Sequence, residues 1–352
     1  MSAPVRVAHV EQSLWLDGLT RDMVVSGALD QYIMQGVVTG AIVNPGCLHA
    51  TIRTSTTYDA VIRDAFDRRL SREEAVLDLL LDDVVRAADR FRPMFDRTHG
   101  VHGWVSLECT ALLAGNAGRM LATVQDLHGR ARRPNVLFGI PGIQEGLSAT
   151  EEAILAGIPV NVGLLFSAEQ YIAAADAFLR GIERRIAGSL PPNVAGAASI
   201  VLHQWGGVRT RRSGEASTNQ LSLAIAERTY RMHRLLLSSP RWQRVQEAGV
   251  RPQRLLWMCG ADEAPATIFT APATVHAVPA HRLKAIADLG IHDITPADGG
   301  GCEAVLGSAM RSGIDIPLEA ARLQADGLHG LVMSWKHLLA VMARKGAACT
   351  AM

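Results

Sequence analysis

Eight short apolar, β-rich runs, separated mostly by helical patterns, restrict what this chain can build. They cover residues 13–17, 40–45, 104–109, 135–141, 160–166, 197–203, 254–260 and 273–279. Strands that are apolar almost throughout are buried on both faces, and strands alternating with helices pair in parallel. Eight such units in 352 residues predict an α/β protein, a (β/α)8 TIM barrel formed as one domain over 1–352. The alternative is a doubly wound open sheet, but no glycine-rich phosphate fingerprint follows the first strand.

The intervening segments carry helix-start signals. Ser71-x-x-Glu74 and Ser167-x-x-Gln170 have the capping pattern, as does Ser148-x-x-Glu151 beyond the Pro141-Gly142 stop. Residues 224–237, 317–325 and 335–344 read as further helices, and the 51–103 interval must hold more than one. Residues 206–219 are polar and irregular and read as a loop.

Composition excludes several functional classes. The net charge of +1 gives no electrostatic footprint for nucleic acid or an anionic membrane. No apolar run reaches the length of a membrane span, and the N-terminus lacks a signal-peptide pattern, so the expected location is cytoplasmic. The five cysteines have no CxxC spacing, which argues against a disulfide framework. Cys47, Cys109 and Cys259 fall near strand ends, with His49 and His203, but their spacing does not support a metal site. No cofactor is implied.

Barrel enzymes work at the carboxyl ends of their strands. Those ends read Asp17, Asn44, Glu108, Gly139, Asn161 with Gly163, Ser199 with His203, and Met258 with Cys259. Period-two alternation places Ser106 and Glu108 on one face, and likewise Ser199 and His203. Two carboxylates, two carboxamides and a serine would then meet in an apolar cup, where burial raises a carboxyl pKa into the range of general acid–base work. Alone, each carboxylate reads equally well as a helix cap or an arginine partner.

Several blocks resemble the transaldolase family, in its longer bacterial form: SLWLDGLTRD, GAIVNP, RPMFDRTHGVHGWVSLE, RPNVLFGIPGIQEGL, GIPVNVGLLFSAEQY, SPRWQ, GVRPQRLLW and TVHAVP. The resemblance spans nearly the whole chain. It implies a barrel with extra helices and a C-terminal helix across the mouth. It also implies that Asp17, Asn44, Glu108, Asn161 and Ser199 are retained family positions. The family places a Schiff-base lysine on the fourth strand, in Lys-Ile-Pro-Ala-Thr; here the run is Gly139-Ile140-Pro141-Gly142-Ile143. The family threonine after the fifth-strand asparagine is Gly163, and the phosphate-gripping arginine falls at Gln204. The chain has only three lysines, Lys284, Lys336 and Lys345, all placed by the sequence on late helices.

Without that amine there is no electron sink for carbon–carbon cleavage, and without the arginine no bidentate phosphate anchor. The expectation is a transaldolase-like enzyme that has lost Schiff-base chemistry. Glu108 and Asp17 would act as acid and base on a small, non-phosphorylated substrate, in lyase, isomerase or cyclase chemistry within specialised biosynthesis. Asn44, Asn161, Ser199, His203, Gly139, Gly163 and Gln204 would line the substrate site. Small replacements predict a wide, apolar pocket, with Trp335 as a possible lid. The alternative is a non-catalytic protein that binds a metabolite or a partner. Asp82, Asp83 and Asp89 faintly resemble a diphosphate-binding cluster but fit an ordinary helix.

Overall fold

The computed structural model describes residues 12–109, 111–208, 215–258, 260, 269–288 and 295–350. Eight parallel strands close into a barrel in chain order. They are β1 (Ser13–Asp17), β2 (Gly40–Val43), β3 (Trp104–Glu108), β4 (Val136–Pro141), β5 (Val160–Leu165), β6 (Gly196–Val201), β7 (Arg254–Met258) and β8 (Val275–Pro279). Seven of the eight predicted runs contain one of them, and the run 197–203 overlaps β6, which begins one residue earlier at Gly196.

Alternation along the strands sorts side chains into two cores. Residues such as Leu14, Val105, Phe138 and Val162 face the surrounding helices and join the large outer cluster. Trp15, Ile42, Trp104, Leu137, Ala197, Leu256, Val275 and Ala277 face inward and fill the barrel. Two residues further along, the same inward face carries Asp17, Ser106, Gly139 and Ser199, so the interior becomes polar toward the carboxyl ends.

The helix over Arg72–Arg97 begins at the predicted capping box, with Ser71 and Glu74 bonding each other's backbone N–H groups. Its aspartates are held by arginines: Asp83 by Arg21 Nε at 2.6 Å, Asp82 by Arg21 and Arg86, Asp89 by Arg133. Tyr58 also donates to Asp83, at 2.9 Å. These contacts make the cluster part of an ordinary packed helix rather than a diphosphate site.

Four local expectations are corrected. The helix after β4 runs Gln144–Leu155 from an Ile143 cap, so Ser148 lies inside it and bonds back to the Gln144 carbonyl at 3.2 Å. β6 stops at Val201, and His203 opens a 3-10 turn over His203–Gly207. The 206–219 stretch is helical from Glu215, in the Glu215–Leu237 helix. The two predicted C-terminal helices are one continuous helix, Ile316–Thr350.

Candidate active site at the carboxyl end of the barrel

Asp17 ends β1, and the chain turns away through Gly18. This residue has φ +77 and lies against the Cys47 side chain, where a Cβ would collide. Asn44 caps the Pro45–Thr54 helix by accepting from the Cys47 N–H at 3.0 Å. Its amide donates to Asp17 Oδ1 at 2.9 Å. One residue therefore fixes both the helix start and the carboxylate.

Deeper in the barrel, Asn161 donates to Ser106 Oγ at 3.1 Å and accepts from Ser199 Oγ at 2.9 Å. All three residues are buried. Their chain of hydrogen bonds ties β3, β5 and β6 together beneath the mouth. Such a closed network satisfies its own polar atoms and holds its members rigid.

Glu108 sits above this layer, opposite Gly139 in the β3–β4 register. A Cβ built on Gly139 would lie 2.6–2.7 Å from the Glu108 carboxyl group. The absence of a side chain at 139 is thus the space the Glu108 carboxylate occupies. Gly163 faces the same group more loosely, its notional Cβ 3.9 Å from Oε2.

Burial pushes the Glu108 carboxyl up from 4.5 to about 7, with the nearby Asp17 charge adding to the effect. Asp17 rises to about 6, again mainly by burial, while the Asn44 hydrogen bond and the Gly18 N–H hold it down. Among the described residues neither carboxylate forms an ion pair with lysine or arginine. Two like-charged groups in poor solvent cannot both ionise cheaply, so one proton is held near neutral pH.

The mouth is nearly filled. The cavity touching Glu108 has a volume of about 10 Å³ and is bounded by Pro45, Cys109, Pro141, Leu164, Leu331 and Trp335, among others. That is roughly the room one water needs. Leu331 and Trp335 come from the Ile316–Thr350 helix, and Trp335 is 2% exposed. Gln324 anchors this helix by donating to the Gly142 carbonyl at 3.0 Å and the Leu164 carbonyl at 2.8 Å. Leu164 adopts φ 57, a left-handed conformation costly for a branched side chain, at the irregularity in β5. Among the described residues the expected wide pocket is therefore not present. Glu108 takes the volume left at 139, and the C-terminal helix takes the rest.

The remaining sequence candidates stand apart from this group. His203 is exposed in its 3-10 turn, its Nδ1 3.4 Å from the Met258 carbonyl, so strand alternation does not bring it onto the Ser199 face. Gln204 follows it there, half-buried. Cys259 lies outside the described residues, as does the arginine cluster Arg209, Arg211 and Arg212 that the sequence places in the polar 206–219 stretch as a solvated loop or a grip for an anionic group. Lys336 is exposed, and Lys345 bonds the Ile52 carbonyl at 2.7 Å and pairs with Asp59 at 2.7 Å. Among the described residues no group of three or more His, Cys, Asp or Glu is placed to hold a metal ion. Nor is any described helix long and apolar enough to cross a membrane. The sequence reading missed Leu331 and Gln324, which lie on a helix whose route over the mouth no local pattern encodes.

Fold and site together define a (β/α)8 barrel whose carboxylate-bearing mouth is covered by its own C-terminal helix. The family described as Transaldolase/Fructose-6-phosphate aldolase matches residues 14–342. Among similar proteins, a transaldolase of Thermobifida fusca is 34% identical over 99% of this chain and 100% of its own length. A transaldolase of a Parafrankia species is 32% identical over 93% of each chain. Transaldolase 1 of Streptomyces avermitilis is 32% identical over 96% of this chain and 94% of its own. The chain belongs to the transaldolase family.

Proposed function

We propose that this transaldolase-family barrel has lost Schiff-base chemistry and performs acid–base catalysis with Glu108 and Asp17 on a small, non-phosphorylated molecule. The observation that carries the reading is the environment of Glu108. Its carboxyl is raised to about 7, and among the described residues its cavity lining contains no lysine or arginine. A carboxyl with a pKa near the working pH both gives and takes a proton efficiently. Asp17, held by Asn44, is the group that stays ionised longer on acidification. Position 139 offers no amine, and a phosphate would meet no cation among the described residues that line that cavity. Substrate entry requires the segment bearing Leu331 and Trp335 to move, in the manner of a lid that excludes water once closed. Lyase, isomerase or cyclase steps in specialised biosynthesis suit these groups.

The nearly filled mouth favours a second reading, a non-catalytic protein of the same fold that binds a metabolite or partner. Two experiments separate these readings from ordinary transaldolase activity. Borohydride treatment with fructose 6-phosphate is expected to leave the protein mass unchanged; a trapped adduct on any of the three lysines would overturn the proposal. Mass spectrometry of molecules released from protein purified from its native host is expected to return a phosphate-free metabolite. Turnover of that metabolite should then be abolished in Glu108→Gln. Retained turnover would remove Glu108 from the chemistry and overturn the proposal, and no turnover or no bound molecule would favour the non-catalytic reading.

A further inference from the structure

The opposite end of the barrel holds a cavity of about 1480 Å³, lined by the starts of β1, β3, β6 and β7 and by the Glu215–Leu237 helix. Its size exceeds the roughly 300–1,000 Å³ usual for small-molecule sites. Its lining includes Arg234, Arg251, Arg254, His99, His102 and His233, and among the described residues no aspartate or glutamate. Among the described residues none of the three arginines forms an ion pair. Arg254 follows the inward alternation of β7 and donates to the Val101 carbonyl at 2.6 Å and to Ser13 Oγ at 3.1 Å. Arg251 donates to the His99 carbonyl. These acceptors are neutral, and a guanidinium has five N–H donors, so donors remain on both.

Several aromatic residues of the cavity are fixed by contacts of their own. Trp104 Nε1 donates to the Gly100 carbonyl at 2.8 Å, and its ring packs edge-on against Phe95 at 5.0 Å. Tyr230 stacks on His233 at 6.5 Å, and His233 is hydrogen-bonded to Tyr171 at 2.7 Å. Apolar and aromatic walls thus surround three arginines that have no counter-charge among the described residues. Taking a guanidinium from water without a carboxylate is costly, and a bound anion offsets that cost.

We infer that the amino end of the barrel is a second ligand site, for a small-molecule anion with an aromatic or otherwise apolar body. The arginines take the anionic head, Arg254 from the barrel floor and Arg234 and Arg251 from the exposed rim, and the Trp104–Phe95 wall takes the body. Burial lowers Arg254 to about 10, and burial with the Arg254 charge lowers His102 to about 4. Burial, with the Arg254 charge acting on His102, therefore disfavours positive charge at this floor, and an anion bound beside Arg254 would offset that cost. This inference is independent of the carboxyl-end proposal, since the two sites share no residue.

The test uses the full chain and two probes of nearly equal shape, the anion 8-anilinonaphthalene-1-sulfonate and the uncharged N-phenyl-1-naphthylamine. The expected result is one saturable site for the anion, with energy transfer from tryptophan, and at least tenfold weaker binding of the neutral probe. Arg254→Gln should weaken the anion at least tenfold. If that variant fails to fold, the exposed pair Arg234→Gln and Arg251→Gln decides, with an expected loss of about fivefold or more. Equal affinity for both probes, or insensitivity to the arginine variants, would reduce the cavity to an apolar surface and overturn the inference. So would a crystal structure with residues 1–11 of the chain itself in the cavity.

Discussion

The two ends of this barrel invert each other. The carboxyl end holds Glu108 against a space of about 10 Å³, with the Asp17 charge nearby, while the amino end surrounds about 1480 Å³ with arginine, histidine and aromatic residues. The carboxyl-end groups are held by few, short contacts within the strands and capped by a distant helix. At the amino end the arginines come from the start of β7, the loop before it and the Glu215–Leu237 helix, and Arg251 and Arg254 bond neutral oxygens. Barrel enzymes place chemistry at the carboxyl end and stability at the amino end. Here the acidic end is the well-packed one, and the basic end is the one with room.

Substitutions can break or sharpen this contrast. The largest effect is expected from Trp335→Ala, which removes the bulk plugging the mouth. Emptying a buried tryptophan site costs about 3–5 kcal/mol, and chemical denaturation should read that loss. A loss below about 1 kcal/mol would mean that the helix does not seal the mouth.

Next comes Glu108→Gln. Glu108 and Asp17 bind protons more tightly folded than unfolded. The stability this gives is full below the unfolded pKa and is lost as pH rises through the folded values, about 6 for Asp17 and about 7 for Glu108. Wild type should therefore lose stability between about pH 4 and 8. Glu108→Gln should exceed it by about 2–3 kcal/mol at pH 8 and match it near pH 4. Denaturant curves at the two pH values check the sign; a variant less stable than wild type at pH 8 contradicts it.

A smaller effect is expected from Gly139→Ala, whose methyl would press on the Glu108 carboxyl at 2.6–2.7 Å. Overpacking of this kind costs about 1–3 kcal/mol. In the double variant with Glu108→Ala the cost should largely vanish. A double-mutant cycle with no coupling would show that the glycine is not there for the carboxylate.

The smallest is Asn44→Ala, about 1 kcal/mol for the lost cap over Cys47. It should also move the Asp17 titration above about 6, because the hydrogen bond that lowers it is gone. An unshifted Asp17 by carbon-detected NMR would remove Asn44 from the site.

Most of the barrel is legible in the sequence because near-continuous apolar runs have few other structural solutions. Asp17, Asn44, Glu108, Asn161 and Ser199 are legible because alternation projects strand ends onto the inward face. His203 fails that projection because β6 ends two residues earlier and the chain tightens into a 3-10 turn. The pocket was misjudged for a physical reason. Glycines at 139 and 163 remove side chains, but space in a close-packed interior is taken by whatever lies next to it. Here that is the Glu108 carboxyl, with Leu331 and Trp335 about two hundred residues further along the chain. The arginine-lined cavity left no local signal, since its residues converge only on closure of the barrel.

The account rests on Glu108 holding its proton near neutral pH. The direct measurement is a pH titration of the carboxyl carbon in protein labelled with 13C at glutamate, the resonance being assigned by its loss in Glu108→Gln. The account predicts a midpoint near 7 that falls in Asp17→Asn, as the neighbouring charge is removed. A midpoint in the ordinary glutamate range, near 4.3, with no response to Asp17, would contradict it.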